Sequence, residues 1–188
     1  STPREDIGAS MLIAEDLSPR VNVPVEVVPM EELEKVLCNS NNGTIVTSRY
    51  FLQPLEKLAK KYGVRAIAVD LSDFQKELKM LKELRPGSCV GIVSISPGLL
   101  RAAEVILHSI RGNDILLMTA NPENNSRLLA LLRAANHVLC DGPSLSEVES
   151  TLTKNRSQLM RIPSLHCAAN YLSKDTINQL KKEIGIST

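Results

Sequence analysis

Short apolar runs that end in small polar residues and open into a helical pattern recur five times along the chain. The junctions are Ile45-Val46-Thr47-Ser48, Ile67-Ala68-Val69-Asp70-Leu71-Ser72, Ile92-Val93-Ser94-Ile95-Ser96-Pro97-Gly98, Leu116-Leu117-Met118-Thr119-Ala120-Asn121-Pro122 and Val138-Leu139-Cys140-Asp141-Gly142-Pro143-Ser144. A strand followed by a helix, repeated, builds a parallel sheet. All such junctions then lie along its carboxyl edge, where open α/β folds bind ligands.

Helical periodicity fills the stretches between. Leu52, Leu55, Leu58 and Ala59 form one stripe, ending near Gly63, and Phe74, Leu78, Leu81 and Leu84 form the next, closed by Pro86-Gly87. Further stripes are Leu99, Ala103, Ile106 and Ile110, ended by Gly112; Leu128, Leu131, Leu132 and Ala135; Leu145, Val148 and Leu152; and Ile177, Leu180 and Ile184, with Gly185 as stop. Before these, Met11 to Ala14 and Val25 to Val28 read as strands, Met30 to Leu37 as a short helix, and Asn39 to Gly43 as a turn. Ser72 with Gln75 and Ser144 with Glu147 fit the capping box. Ser96 before Pro97 and Asn121 before Pro122 fit a cap ahead of a first-turn proline.

The pattern therefore predicts an α/β fold of repeated βα units with a mostly parallel sheet. Pro86-Gly87 marks the expected boundary between two small lobes, residues 1–86 plus 161–188 and residues 87–160. A single doubly wound sheet is the other arrangement the pattern allows.

Composition narrows the classes. Aromatic residues make up 3% of the 188, without Trp, so base-stacking platforms for single-stranded nucleic acid are nearly absent. The net charge is +1 with Lys and Arg spread along the chain, which predicts no DNA or RNA contact by this chain itself. Cys38, Cys89, Cys140 and Cys167 form no C-x-x-C pair; Cys89 and Cys140 read as buried small hydrophobes in a reducing, cytoplasmic setting. No apolar run approaches a membrane span.

Catalytic patterns are missing. His108, His137 and His166 lack partners at metal-ligand spacing, apart from His166 beside Cys167, so neither metal nor cofactor is expected. The chain lacks G-x-S-x-G, G-x-G-x-x-G and G-K-[ST]. Cys140 stands at a strand end without a base in view, which favours a structural thiol. Two junctions carry more. Thr47-Ser48-Arg49-Tyr50 combines two hydroxyls, a guanidinium and a phenol, and Arg grips carboxylate or phosphate with two parallel bonds. Ser94, Ser96 and Gly98 meet a helix start, a ready anion site that Pro97 weakens by one donor. Thr119, Asn121, Asp141 and Ser144 add hydrogen-bonding groups for a small polar ligand.

Gly43-Thr44-Ile45-Val46-Thr47-Ser48-Arg49-Tyr50-Phe51, Tyr62-Gly63-Val64, Cys89-Val90-Gly91-Ile92-Val93 and the ending Asn170-Tyr171-Leu172-Ser173 with Leu180 to Ile186 resemble the C-terminal effector-binding region of GntR-type bacterial transcription regulators, particularly cyanobacterial ones. The resemblance spans about residues 25–186. It implies a periplasmic-binding-protein-like sensor whose effector shifts lobe closure or dimer geometry, a homodimer, and a winged-helix DNA-binding domain lying outside these residues. It implies no enzyme activity and leaves the effector open. The alternative is a sugar-phosphate-binding domain or isomerase, because Ser94-Ile95-Ser96 faintly resembles the serine-rich phosphate loop of sugar isomerases, from which Pro97 and Gly98 depart.

Overall fold

The computed structural model describes residues 1–39, 43–71, 74–168 and 170–185. In chain order the elements are α1 (Ile7–Leu17), α2 (Leu33–Asn39), β1 (Thr44–Ser48), α3 (Leu52–Tyr62), β2 (Arg65–Val69), α4 (Gln75–Glu83), β3 (Cys89–Val93), α5 (Pro97–Arg111), β4 (Leu116–Ala120), α6 (Asn125–Ala134), β5 (His137–Asp141), α7 (Gly142–Lys154), β6 (Ser164–Ala168) and α8 (Lys174–Ile184). They are interspersed with single 3-10 turns. The fold is the α/β alternation that the five junctions predict: every pairing among the described strands is parallel. The chain divides into two compact units, Ser1–Asp73 with Asn170–Thr188, and Phe74–Ala169.

In the first unit β1 and β2 pair in register from Thr44 opposite Arg65 to Ser48 opposite Val69. The crossover helix α3 ends at Gly63, whose φ of 66° is the left-handed conformation a helix stop needs. Two expected strands are corrected here. Met11 to Ala14 lies inside α1, because Ala9, Leu12, Ile13, Asp16 and Leu17 are buried at helical spacing. Val25 to Val28 forms no strand. Prolines bracket it on both sides, and Val28 instead packs with Leu33, Leu37, Ile45 and Leu55. The expected turn at Asn39 to Gly43 falls mostly on residues outside the described set. α8 starts at a Ser173 cap and stops at Gly185 with φ 80°.

The second unit is a four-stranded parallel sheet of order β4-β3-β5-β6. Val93, Ala120, Val138 and Cys140 pack with Leu128, Leu131, Leu132 and Val148, so α6 and α7 cover one face. Val90 and Leu139 pack with Leu81 and Leu107, so α4 and α5 cover the other. Gly91 is required for this close packing: a Cβ there would stand 2.2 Å from Cδ2 of Leu131.

The strand and helix that the expected boundaries assign to the first lobe, β6 and α4, fall in this unit. β6 pairs with β5 from His137 opposite Ser164 to Asp141 opposite Ala168, and Leu81 of α4 shares a core with Val90. Helix α5 also differs in rotation. Its buried residue is Leu107, while Ile106, expected to face inward, is exposed together with Val105.

Candidate functional site

A strand order in which the first strand of the unit lies between the second and third places a topological switch point at its carboxyl end. Here that point falls between β3 and β5, where Val93 runs into Ser94 and Cys140 into Asp141. The residues meeting there come from two strand-to-helix junctions, as the sequence predicts. Ser94, Ser96, Asp141 and Ser144 are all buried.

Their polar atoms are used within the protein. Asp141 caps α7: its Oδ1 accepts the Ser144 N–H at 2.8 Å, and its Oδ2 accepts the Ile95 N–H at 3.0 Å. The Ser94 hydroxyl accepts the Ser96 N–H at 3.0 Å, and the Ser96 hydroxyl accepts the Leu99 N–H at 3.0 Å as the cap of α5. Gly98 lies one residue inside that helix. Four N–H donors that an anion would use thus have protein acceptors already, and one acceptor is itself a carboxylate. The expected capping box is corrected accordingly: the cap of α7 is Asp141, and Ser144 stands in the first turn. Its hydroxyl is buried without a hydrogen-bond partner.

At the carboxyl end of β4 the arrangement is open. Asn121, Glu123, Asn124, Asn125 and Ser126 line a shallow depression of about 500 Å³. Asn121 does not cap the helix directly. Its Oδ1 accepts the Glu123 N–H at 2.9 Å in a turn, and the cap of α6 is Asn124, which accepts the Arg127 N–H at 3.1 Å. Thr119 stands behind this rim. Its hydroxyl donates to Glu104 at 2.7 Å, and Arg127 donates to the Thr119 carbonyl at 2.6 Å and to its hydroxyl at 3.2 Å. Glu104 and Arg127 thereby satisfy groups of the edge strand from two helices. Of the residues gathered at this edge, the sequence reading names Thr119 and Asn121 and does not name Glu104, Glu123, Asn124, Asn125, Ser126 and Arg127. A signal for three of them is present in the sequence: Asn124, Asn125 and Ser126 follow Pro122-Glu123 without a break.

In the first unit, Thr47, Ser48, Arg49 and Tyr50 occupy the carboxyl end of β1. The Thr47 hydroxyl is buried and donates to the Ser1 carbonyl at 2.6 Å. Ser48 is buried with an unpartnered hydroxyl. Arg49 forms a two-pronged pair with Asp70, with Nε 3.0 Å from Oδ1 and Nη2 2.6 Å from Oδ2. The guanidinium holds the Asp70 carboxyl below its ordinary range, against a smaller opposing effect of burial. Tyr50 is 91% exposed and so packs on nothing. The expected cap Ser72 lies outside the described residues.

Burial, first, and then neighbouring Cys167, push the Cys140 thiol up to about 12, far from a thiolate at neutral pH. Among the described residues, no three His, Cys, Asp or Glu side chains cluster as a metal site, and no helix is long and apolar enough to cross a membrane.

A doubly covered parallel α/β unit with a polar carboxyl edge is the class the structure defines. Residues 76–169, half of the chain, match the C-terminal domain of cyanobacterial PlmA-type GntR regulators, and the chain belongs to that family. The match falls within the second unit. No curated protein matches the chain. The domain is thus the C-terminal domain of a GntR-type transcription regulator.

Proposed function

We propose that this domain senses a small polar effector for the regulator, binding it at the carboxyl edge of β4 in the depression lined by Asn121, Asn124, Asn125 and Ser126. The observation that carries the reading is the contrast along one sheet edge. At the switch point the polar groups are buried and the donors consumed internally, whereas Asn121 and Asn124, whose oxygens serve a turn and a helix cap, stand with Asn125 and Ser126 around open space at the β4 end. Amide side chains both donate and accept, so they suit a ligand carrying hydroxyl, carbonyl or carboxylate groups. Glu123 on the same rim disfavours a ligand of high negative charge. A sugar-phosphate reading is weaker too: the Ser96 and Leu99 N–H groups that a phosphate would use at the start of α5 already donate to the Ser94 and Ser96 hydroxyls.

Binding regulates only through a difference in affinity between two states of the regulator. The near-neutral charge of the chain and its place in a regulator family support DNA contact through another domain, and the proposal includes a homodimer without catalysis of its own. The test is amide-resonance mapping by NMR with a panel of organic acids, amino acids, sugars and sugar phosphates. A ligand that moves resonances of residues 121–127, and loses affinity in Asn125→Ala, supports the site. If effectors bind but shift only resonances elsewhere, the site is wrong.

A further inference from the structure

Cys140 and Cys167 are far apart in sequence but sit directly opposite each other on the paired strands β5 and β6. Side chains of directly paired residues leave the sheet on the same face. Neighbouring strands lie about 4.8 Å apart, inside the Cα separation of roughly 4.4–6.8 Å that a disulfide spans. The surroundings of the two thiols differ sharply. Cys140 is 2% exposed in the core beneath α6 and α7, whereas Cys167, on the edge strand, is exposed.

We propose that Cys140 and Cys167 are a reversible disulfide site that staples the edge strand β6 to β5. The exposed thiol is the point of entry. As its thiolate, Cys167 attacks a small-molecule disulfide oxidant, forming a mixed disulfide and releasing one thiol of the oxidant. The Cys140 sulfur then attacks the Cys167 sulfur, the second oxidant thiol leaves, and the Cys140 proton passes to it or to solvent. Two protein thiols lose two electrons and two protons, and one oxidant disulfide becomes two thiols. The staple lies next to Asp141, whose carboxylate holds the Ile95 and Ser144 N–H groups, so oxidation fixes the strand end that organises the switch point.

The experiment treats the folded chain with oxidised glutathione, quenches by alkylation, and maps tryptic peptides by mass spectrometry. The expected product joins the peptide of residues 134–154, holding Cys140, to that of residues 162–174, holding Cys167, and dithiothreitol separates them. In Cys140→Ser the reaction stops at a glutathione adduct on Cys167, and in Cys167→Ser the Cys140 thiol stays unmodified. The proposal is overturned if wild-type Cys167 carries glutathione while Cys140 remains alkylatable after unfolding. It is equally overturned if Cys167 bonds to Cys38 or to a second chain, or if it takes no adduct in Cys140→Ser.

Discussion

The carboxylate of Asp141 accepts the backbone N–H of Ile95 across the ends of two adjacent strands, 46 residues apart in sequence, at 3.0 Å. The same carboxylate caps α7 through Ser144. One buried side chain therefore serves a helix start and the loop leading to a second helix. Asp141→Ala removes a cap and strands a second N–H in a buried place. The expected cost is roughly 2–4 kcal/mol. Asp141→Asn keeps one acceptor and loses the charge, for about 1 kcal/mol. Urea unfolding of both variants checks the order. An alanine variant as stable as wild type would show that the two bonds carry no net stability.

Gly91 and Leu131 make a second coupled pair. Because Cβ at position 91 would overlap the Leu131 side chain, Gly91→Ala overpacks the sheet against α6. The expected loss is about 1–3 kcal/mol. Leu131 is fully buried, so Leu131→Ala opens a cavity costing roughly 2–5 kcal/mol. Together they partly repair each other. A double-mutant cycle should give a combined loss smaller than the sum by more than the ~0.5 kcal/mol scatter of independent sites.

The alternation of strands and helices was legible because each junction carries its own signal: an apolar run, a small polar stop, then a helical stripe. The cap at Ser96 and the stop at Gly185 follow from local chemistry and stand where expected. Caps at α6 and α7 moved by three residues because Asn121 and Asn124, or Asp141 and Ser144, compete for the role, and backbone geometry decides between them. Met11 to Ala14 misled for a different reason. An apolar run buried on several sides of a helix has no alternation to distinguish it from a strand. The candidate site was legible as an edge and not as a ligand contact. That Arg49 is answered by Asp70, and Ile95 by Asp141, depends on neighbouring strands that a single sequence does not place.

His137 gives the second unit a defined acid sensitivity. Burial, first, and then the charges of His166 and Arg161 lower its pKa below the ordinary 6.5. Its Nδ1 lies 2.6 Å from the Ser164 hydroxyl on the paired strand, and its ring is 6.2 Å from that of His166. A base with a depressed folded pKa binds fewer protons folded than unfolded between the two values. Stability is therefore full above the unfolded pKa and falls as the pH drops through 6.5 toward the folded value. Denaturation midpoints collected from neutral to mildly acid pH should fall less steeply in His137→Gln than in wild type. An unchanged slope would place the acid sensitivity elsewhere.

In the first unit the returning chain is tied down by one acid on the opening helix. Asp16 is buried, and its Oδ2 accepts the N–H of Tyr171 at 3.0 Å and of Leu172 at 2.7 Å. Its Oδ1 pairs with Arg20 at 2.7 Å, and Arg20 also donates to the side-chain oxygen of Asn170 at 2.5 Å. Tyr171 and Leu172 are among the most deeply buried side chains, so their backbone donors have no route to water. Asp16→Ala orphans both donors and frees a partly buried guanidinium, for an expected loss of roughly 3–5 kcal/mol. Asp16→Asn retains an acceptor for the backbone but no countercharge, and should lose less. Arg20→Ala leaves the two backbone bonds intact, so its cost should be the smallest of the three. Hydrogen exchange distinguishes this from a general loosening. In Asp16→Ala the amides of Tyr171 and Leu172 should lose protection first, while those of Val90 and Val93 in the other unit keep theirs. Equal loss in both units would mean that Asp16 acts on the whole chain and not on the local tie.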